Sequence, residues 1–95
     1  MKEQSKILKL IAKTMKINNS NLGYKVSVTY SGDFDREIFS MYVYDSKNEV
    51  SFYKGYFINS KEEYDLNKKR DIINEIKRLE RLSKWKNLLL ITLNG

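Results

Sequence analysis

The sequence predicts an α+β fold in the order α-β-β-β-α, with a last segment that is either a fourth strand or a packed turn. Two stretches towards the ends of the chain repeat apolar residues at helical spacing, whereas three stretches between them alternate apolar and polar residues. A chain of 95 residues has room for one domain, residues 1–95. We therefore expect an antiparallel sheet of three or four strands with helices packed on one face to bury it.

The first helix is predicted over residues 2–17. At about 100° per residue, its apolar side chains cluster around one direction: Ile7, Leu8, Leu10, Ile11 and Met15. Lysines spaced four and three residues apart form a stripe almost opposite to that cluster: Lys2, Lys6, Lys9, Lys13 and Lys16. The polar residues at 18–21 then predict a loop.

Three strands are predicted over residues 23–30, 36–44 and about 49–57. The first two alternate strictly, so each has one face that is suited to burial. Turn residues at 31–33 and 45–48 separate the strands, which predicts antiparallel hairpins.

The last helix follows Ser60, which forms a predicted capping box with Glu63. Trp85 leaves the apolar face of this helix, so we expect the helix to end near Ser83 or Lys84. The apolar segment 88–93 is either a strand or a last packed turn, because periodicity does not separate the two. The predicted core consists of Val26, Val28, Met41, Val43, Phe52, Ile72, Ile76 and Leu79.

The missing residue types exclude several classes of chemistry. The chain has no cysteine and no histidine, which removes disulfides, thiolate nucleophiles, His-based triads and the commonest zinc ligands. We therefore expect a protein that is not an enzyme and that holds no metal and no cofactor. No apolar run is long enough to span a membrane and lysines interrupt the first helix, so we expect a cytoplasmic protein.

The net charge of +6 is unevenly distributed along the chain. Residues 1–25 carry +5, residues 26–58 carry −2 and residues 59–95 carry +3. Both helices are therefore basic, whereas the hairpin region is acidic at its turns. This pattern favours contact with nucleic acid through the helices, although acidic turns would add nothing to a surface that only binds phosphate.

The candidate nucleic-acid-binding residues form two helical stripes. The alternative to nucleic-acid binding is, for the first stripe, a helix face that is simply solvated. For the second stripe it is ion pairing along the helix, as between Glu75 and Arg78 or between Glu80 and Lys84. Arginine favours phosphate because its guanidinium group binds in a bidentate manner. The candidates are Lys6, Lys9 and Lys13 on the first helix, with Arg70, Lys77, Arg78, Arg81 and Lys84 on the last.

The candidate partner-binding residues are three acids, three tyrosines and a tryptophan: Asp33, Asp35, Glu37, Tyr42, Tyr44, Tyr53 and Trp85. The tyrosines share the sheet face away from the helices if Tyr44 pairs with Glu49. On that face the tyrosines either stack on nucleic-acid bases or form a protein interface. The alternative is that the tail strand, a second copy of the chain or cross-strand packing covers them. The acids do not match a calcium-loop spacing, so they are either solvated turn residues or an acidic knob that enters a basic groove.

Two known families share the predicted element order. Lys68-Lys69-Arg70 lies near the basic patch of the double-stranded RNA-binding domain, but the glycine-rich lead-in of that domain is missing. The chain also resembles small phage-encoded anti-CRISPR proteins of type II systems in its size, in Tyr24-Lys25-Val26 and in Ile91-Thr92-Leu93. That resemblance implies inhibition of an effector nuclease by binding. The family is acidic and imitates DNA, so in this basic chain only the acidic turns match that role.

We therefore expect a non-enzymatic binding protein, a phage or mobile-element accessory protein that binds and inhibits or modulates a nucleic-acid-acting enzyme. The alternative is a domain that binds DNA or RNA directly through its lysine and arginine stripes. A homodimer is a further alternative, and we do not expect a membrane as a partner.

Overall fold

The computed structural model describes the backbone of residues 2–20, 22–32 and 36–94. Within these ranges it describes the side chains of residues 4–85. Its element order is the predicted α-β-β-β-α. The elements are α1 (Lys2–Asn18), β1 (Lys25–Gly32), β2 (Glu37–Tyr44), β3 (Val50–Phe57) and α2 (Glu63–Asn94).

The three strands form one antiparallel sheet in the order β1-β2-β3. The register places Tyr42 opposite Tyr53, but an irregularity after Val43 places Tyr44 opposite Val50 and not Glu49. Asp45 causes this difference, because its backbone N–H donates to the carbonyl of Glu49 at 2.9 Å and so closes the hairpin.

Both helices pack on the same face of the sheet. The alternate residues Phe39, Met41 and Val43 of β2 are completely buried, as the strand pattern predicts. The core they share with the helices and the other strands consists of Ile7, Leu10, Ile17, Val26, Phe39, Met41, Val43, Tyr56, Ile58, Ile72, Ile76 and Leu79. Of the predicted core residues, Val28 and Phe52 are only partly buried.

The first helix is turned relative to the apolar cluster predicted from its sequence. Ile7 and Leu10 are buried, whereas Leu8 and Met15 are 67% and 59% exposed. Asn18 sets this orientation: its side-chain amide donates to the carbonyl of Val26 at 2.8 Å, and its amide oxygen accepts from the Val26 N–H at 2.7 Å. The end of α1 is thereby fixed over the start of β1.

The predicted capping box at the start of α2 is wrong. The Ser60 hydroxyl accepts from the backbone N–H of Glu62 and donates to the buried carboxylate of Asp65 at 2.6 Å. The second oxygen of Asp65 accepts from the Phe57 N–H at 3.2 Å. Asp65 therefore engages the Ser60 hydroxyl and ties the helix to the end of β3, and α2 begins at Glu63.

The predicted end of α2 near Ser83 or Lys84 is also wrong, because the helix continues to Asn94 and segment 88–93 is helical. Four of the nine residues 86–94 are leucine and none is proline, so local propensity continues the helix. A helix of 32 residues is about 48 Å long, against about 26 Å for a strand of eight. The end of α2 therefore projects beyond the sheet, and Trp85 is 65% exposed.

Candidate functional site

A cluster of three tyrosines lies on the sheet face that points away from the helices. Tyr42 and Tyr44 alternate with the buried Met41 and Val43, so their rings point to the opposite side. The Tyr42 ring centroid lies 4.2 Å from that of Tyr53 and 6.2 Å from that of Tyr44, and the second pair is nearly parallel. We call Tyr42, Tyr44 and Tyr53 the tyrosine face.

The Tyr42 hydroxyl lies among the closely packed rings of the tyrosine face. Partial desolvation, together with the neighbouring Tyr53 and Tyr44 hydroxyls, raises the pKa of Tyr42 above its ordinary value. The Tyr42 hydroxyl therefore stays protonated at physiological pH and is available as donor and acceptor. Tyr53 is about half exposed, so among the described residues this face remains open to a partner.

A flat row of small residues lies beside the tyrosine face. The register places Thr29, Ser40 and Gly55 next to one another across the three strands. A Cβ atom on Gly55 would lie 2.5 Å from the Ser40 Oγ, so a larger residue here would force the Ser40 side chain to shift. Beyond the row, the Arg36 guanidinium lies 5.3 Å from the centroid of the Phe57 ring. Sequence reasoning missed this second aromatic position, because it depends on the pairing of β2 with β3.

The predicted acidic cluster is only partly within the described residues. Asp33 and Asp35 lie outside them. Glu37 accepts a hydrogen bond of 2.6 Å from the Tyr30 hydroxyl across the first hairpin. This bond is the main reason why the pKa of Tyr30 is raised. Within the described part of the chain, no group of three or more acidic side chains is placed to hold a metal ion.

The lysine stripe of α1 lies on the protein surface. Lys6, Lys9 and Lys13 are all exposed. They point away from the buried line of Ile7, Leu10, Thr14 and Ile17, as the helical spacing predicts.

The structure divides the predicted stripe of α2 in two. The Arg78 guanidinium donates to both carboxylate oxygens of Glu75, at 2.7 and 2.8 Å, and lies 5.7 Å from the centroid of the Tyr24 ring. This pairing raises the pKa of Arg78 above its ordinary value. The positive charge of Arg78 is therefore balanced by Glu75 within the same helix. The other four candidates are exposed along one side of the helix, and they are Arg70, Lys77, Arg81 and Lys84.

An ion pair fixes α2 to the sheet on the other side of this helix. Lys54 of β3 donates to the Asp71 carboxylate of α2. The bond lowers the pKa of Asp71 below its ordinary value. The ion pair adds to the buried contacts of Ile72, Ile76 and Leu79, which orient the stripe on α2 relative to the sheet.

Comparison of the chain with protein-family models, with curated proteins and with solved structures gives no match. Among the described residues, neither helix is long and apolar enough to cross a membrane. The functional argument therefore depends on the surfaces of this chain alone.

Proposed function

We propose that this protein is a non-enzymatic binding protein that engages a nucleic-acid-acting enzyme and inhibits or modulates it. The observation that carries the proposal is the separation of two different surfaces. The tyrosine face lies on one side of the sheet, and the exposed lysine and arginine stripes lie on the helices that cover the other side. One domain is thereby suited to contact a protein and its bound nucleic acid at the same time.

The tyrosine face is assigned to the protein partner. Tyrosine is enriched at the energetic centres of protein interfaces, since a rigid ring gives a large contact area and the hydroxyl fixes orientation. Packing of Tyr42 between Tyr44 and Tyr53 orders the rings before binding, which reduces the entropy lost on association.

The helical stripes are assigned to nucleic acid. Lys9 and Lys13 on α1, with Lys77, Arg81 and Lys84 on α2, are exposed. Cations of this kind bind phosphates and release counterions without reading sequence. Arg78 is left out of the assignment, since Glu75 already neutralises it.

The resemblance to small phage-encoded anti-CRISPR proteins favours a nuclease as the enzyme. A phage or mobile-element accessory protein of this kind acts by occupying the surface of the nuclease. The acids at the first hairpin contribute to the same contact, because carboxylates imitate the charge of phosphate.

The test is a binding and cleavage assay with candidate RNA-guided nucleases. The Tyr42→Ala, Tyr53→Ala double variant should lose binding and inhibition together, because it removes the closest ring pair. The matched control is Tyr64→Ala, which removes an exposed tyrosine from α2 and should leave both unchanged. Full inhibition by the double variant, or no binding to any DNA- or RNA-acting enzyme, would refute the proposal.

The second candidate is a domain that binds nucleic acid directly. The exposed stripe on α1 and the exposed part of the stripe on α2 favour it. Tight binding of naked duplex or single strands with no enzyme present would support this function over the first.

A further inference from the structure

We propose that Trp85 and the exposed cations beside it on α2 form a binding site for an unpaired nucleotide of a single-stranded nucleic acid. The indole ring stacks on the base, and Arg81 contacts the adjoining phosphate. This inference rests on the proposed function in one respect, the assignment of the helical stripes to nucleic acid, and it names the form of nucleic acid that α2 binds.

Trp85 presents an uncovered aromatic ring at the surface of α2. It is the only tryptophan of the chain and is 65% exposed. Among the described residues, no other aromatic ring and no cation is stacked on it. Tyr64 of the same helix differs, because the Lys68 ammonium lies 5.6 Å from the centroid of its ring. Of these two exposed aromatic residues, Trp85 is therefore the one whose ring remains available for stacking.

Exposed cations lie on the same side of α2. Arg81 is four residues before Trp85 and Lys77 is four residues before Arg81, so the three residues occupy successive turns. Lys77, Arg81 and the adjacent Lys84 are exposed, and no carboxylate in the described part of the chain forms an ion pair with them. Their charges are therefore available for the phosphates of a ligand.

An open cavity of about 490 Å³ lies between α2 and β3 on this side of the helix. Asn74, Arg78 and Arg81 line it from α2, and Phe52 lines it from β3. From Asn74, the flank continues to the two arginines and then to Trp85 at spacings of four, three and four residues, which is one face of a helix. A ligand that lies along the cavity therefore meets the indole ring one turn beyond Arg81.

The charges within this cavity leave Arg81 uncompensated. Asp71 accepts a hydrogen bond from Lys54, and Glu75 accepts two from Arg78. Arg81 has no such partner among the described residues. The cavity therefore favours an anionic ligand, and the bidentate guanidinium group is suited to a phosphate.

The combination of an indole ring and adjacent cations selects a single strand over other occupants. Each unpaired nucleotide brings a planar base for the ring and an anionic phosphate for the arginine. The bases of a duplex are already stacked and paired, so a ring on the outside of α2 does not reach their faces. A second copy of the chain would bring Lys77, Arg81 and Lys84 against the same cations, which disfavours self-pairing. An acidic peptide matches the cations alone.

The emission of the single tryptophan reports this contact directly. The wild-type protein is titrated at low salt with a short oligothymidylate, with the matching oligouridylate and with a DNA duplex that has the same number of phosphates. We expect the single strands to quench the emission, because a stacked base lies against the indole ring, and the duplex to bind without comparable quenching. Comparison of the two single strands shows whether the site prefers DNA or RNA.

Variants measured by the anisotropy of a labelled single strand separate the ring from the charge. Trp85→Ala should weaken binding at least about tenfold, which corresponds to about 1.4 kcal/mol, whereas Trp85→Phe should keep most of the affinity because it keeps a ring. Arg81→Gln should reduce the slope of log affinity against log salt by about 0.7, the value for one phosphate of a single strand. Both positions are exposed, so these changes leave the core intact. Tyr64→Ala and Tyr53→Ala are the controls and should leave the affinity unchanged.

Two results would overturn the Trp85 site and leave the stripes as a phosphate-binding surface. They are unchanged emission when the single strand binds, and equal affinity of Trp85→Ala and the wild type. Equal quenching by a short polyglutamate would assign the site to an acidic protein segment. A dimer in sedimentation experiments that Trp85→Ala converts to a monomer would assign it to a second copy.

The absence of binding to any nucleic acid at low salt would overturn this inference together with the assignment of the stripes. The enzyme-binding role of the tyrosine face is decided separately, because the Tyr42→Ala, Tyr53→Ala double variant tests it with Trp85 intact.

Discussion

Substitution of Gly55 by alanine tests the packing of the open sheet face. The added Cβ would lie 2.5 Å from the Ser40 Oγ and 3.3 Å from its Cβ. Overpacking of this kind costs about 1–3 kcal/mol, and the reduced freedom of the unfolded chain offsets about 0.4–1 kcal/mol of it. We therefore expect Gly55→Ala to lower the free energy of unfolding by about 1 kcal/mol, within a range of about 0–2.6 kcal/mol.

A double-mutant cycle isolates the contact that causes this loss. In a Ser40→Ala background the 2.5 Å contact is gone and the nearest remaining distance is 3.3 Å, so Gly55→Ala should cost much less. Urea unfolding of the four proteins gives the coupling free energy, which we expect to be about 0.5–1.5 kcal/mol. Gly32→Ala is the control, because its nearest neighbour is the flexible Glu37 side chain. Equal costs of Gly55→Ala in both backgrounds would refute the reasoning.

Three further predictions concern the core, an ion pair and the basic surface. Ile76→Ala should cost about 2–5 kcal/mol in urea unfolding, because Ile76 is 1% exposed, and a loss under about 0.5 kcal/mol would contradict the core assignment. The Lys54 ion pair lowers the pKa of Asp71, so its contribution to stability is present above about pH 4 and is lost as the pH falls further. The urea midpoints of the wild type and Asp71→Asn should therefore converge in acid, and a constant difference would refute the pairing. If nucleic acid binds the helices, its affinity should fall steeply with salt and the slope should decrease in Lys9→Glu with Lys13→Glu; an unchanged slope would exclude the α1 stripe.

Periodicity predicts the elements of this protein because burial on one side determines them. Alternation places Phe39, Met41 and Val43 in the core, and helical spacing places Ile72, Ile76 and Leu79 there. Alternation along β2 also places Tyr42 and Tyr44 on one face, and for these properties local pattern and one buried face are sufficient. The position of Tyr53 opposite Tyr42 depends in addition on the register between β2 and β3, which differs from the expected pairing of Tyr44 with Glu49.

Features that depend on which of several side-chain contacts forms were not predictable in this way. Ser60 does not form the predicted capping box with Glu63, because its hydroxyl donates to the buried carboxylate of Asp65. The side chain of Asn18 bonds to the backbone of Val26 across the loop between α1 and β1. The charge of Arg78 is neutralised because the turn of α2 places Glu75 next to it. The sequence offered this pairing only as an alternative to an exposed stripe, since spacing alone does not decide which charges remain exposed.

The end of α2 shows a different limit of sequence reasoning. The expected end near Ser83 depended on the apolar face, on which Leu79 is the last buried residue among the side chains that the structure describes. Helix propensity, in contrast, does not require a sheet beneath it, and the leucine-rich segment continues the hydrogen-bonding pattern. The last buried residue described on this face and the end of the helix are therefore different positions in this chain.

The composition of β2 links the fold to a binding role. An antiparallel strand that is buried on one face ordinarily carries polar residues on the other, whereas β2 has Ile38, Tyr42 and Tyr44 on the outer side. Two helices that pack on the same side leave this outer side without an element to cover it among the described residues. Aromatic side chains on this uncovered face pack on one another, as Tyr42 does on Tyr53 and Tyr44, and the proposed partner would cover the area that they leave exposed. This physical reason gives the tyrosine face, more than the charge of the helices, the central place in the proposed function.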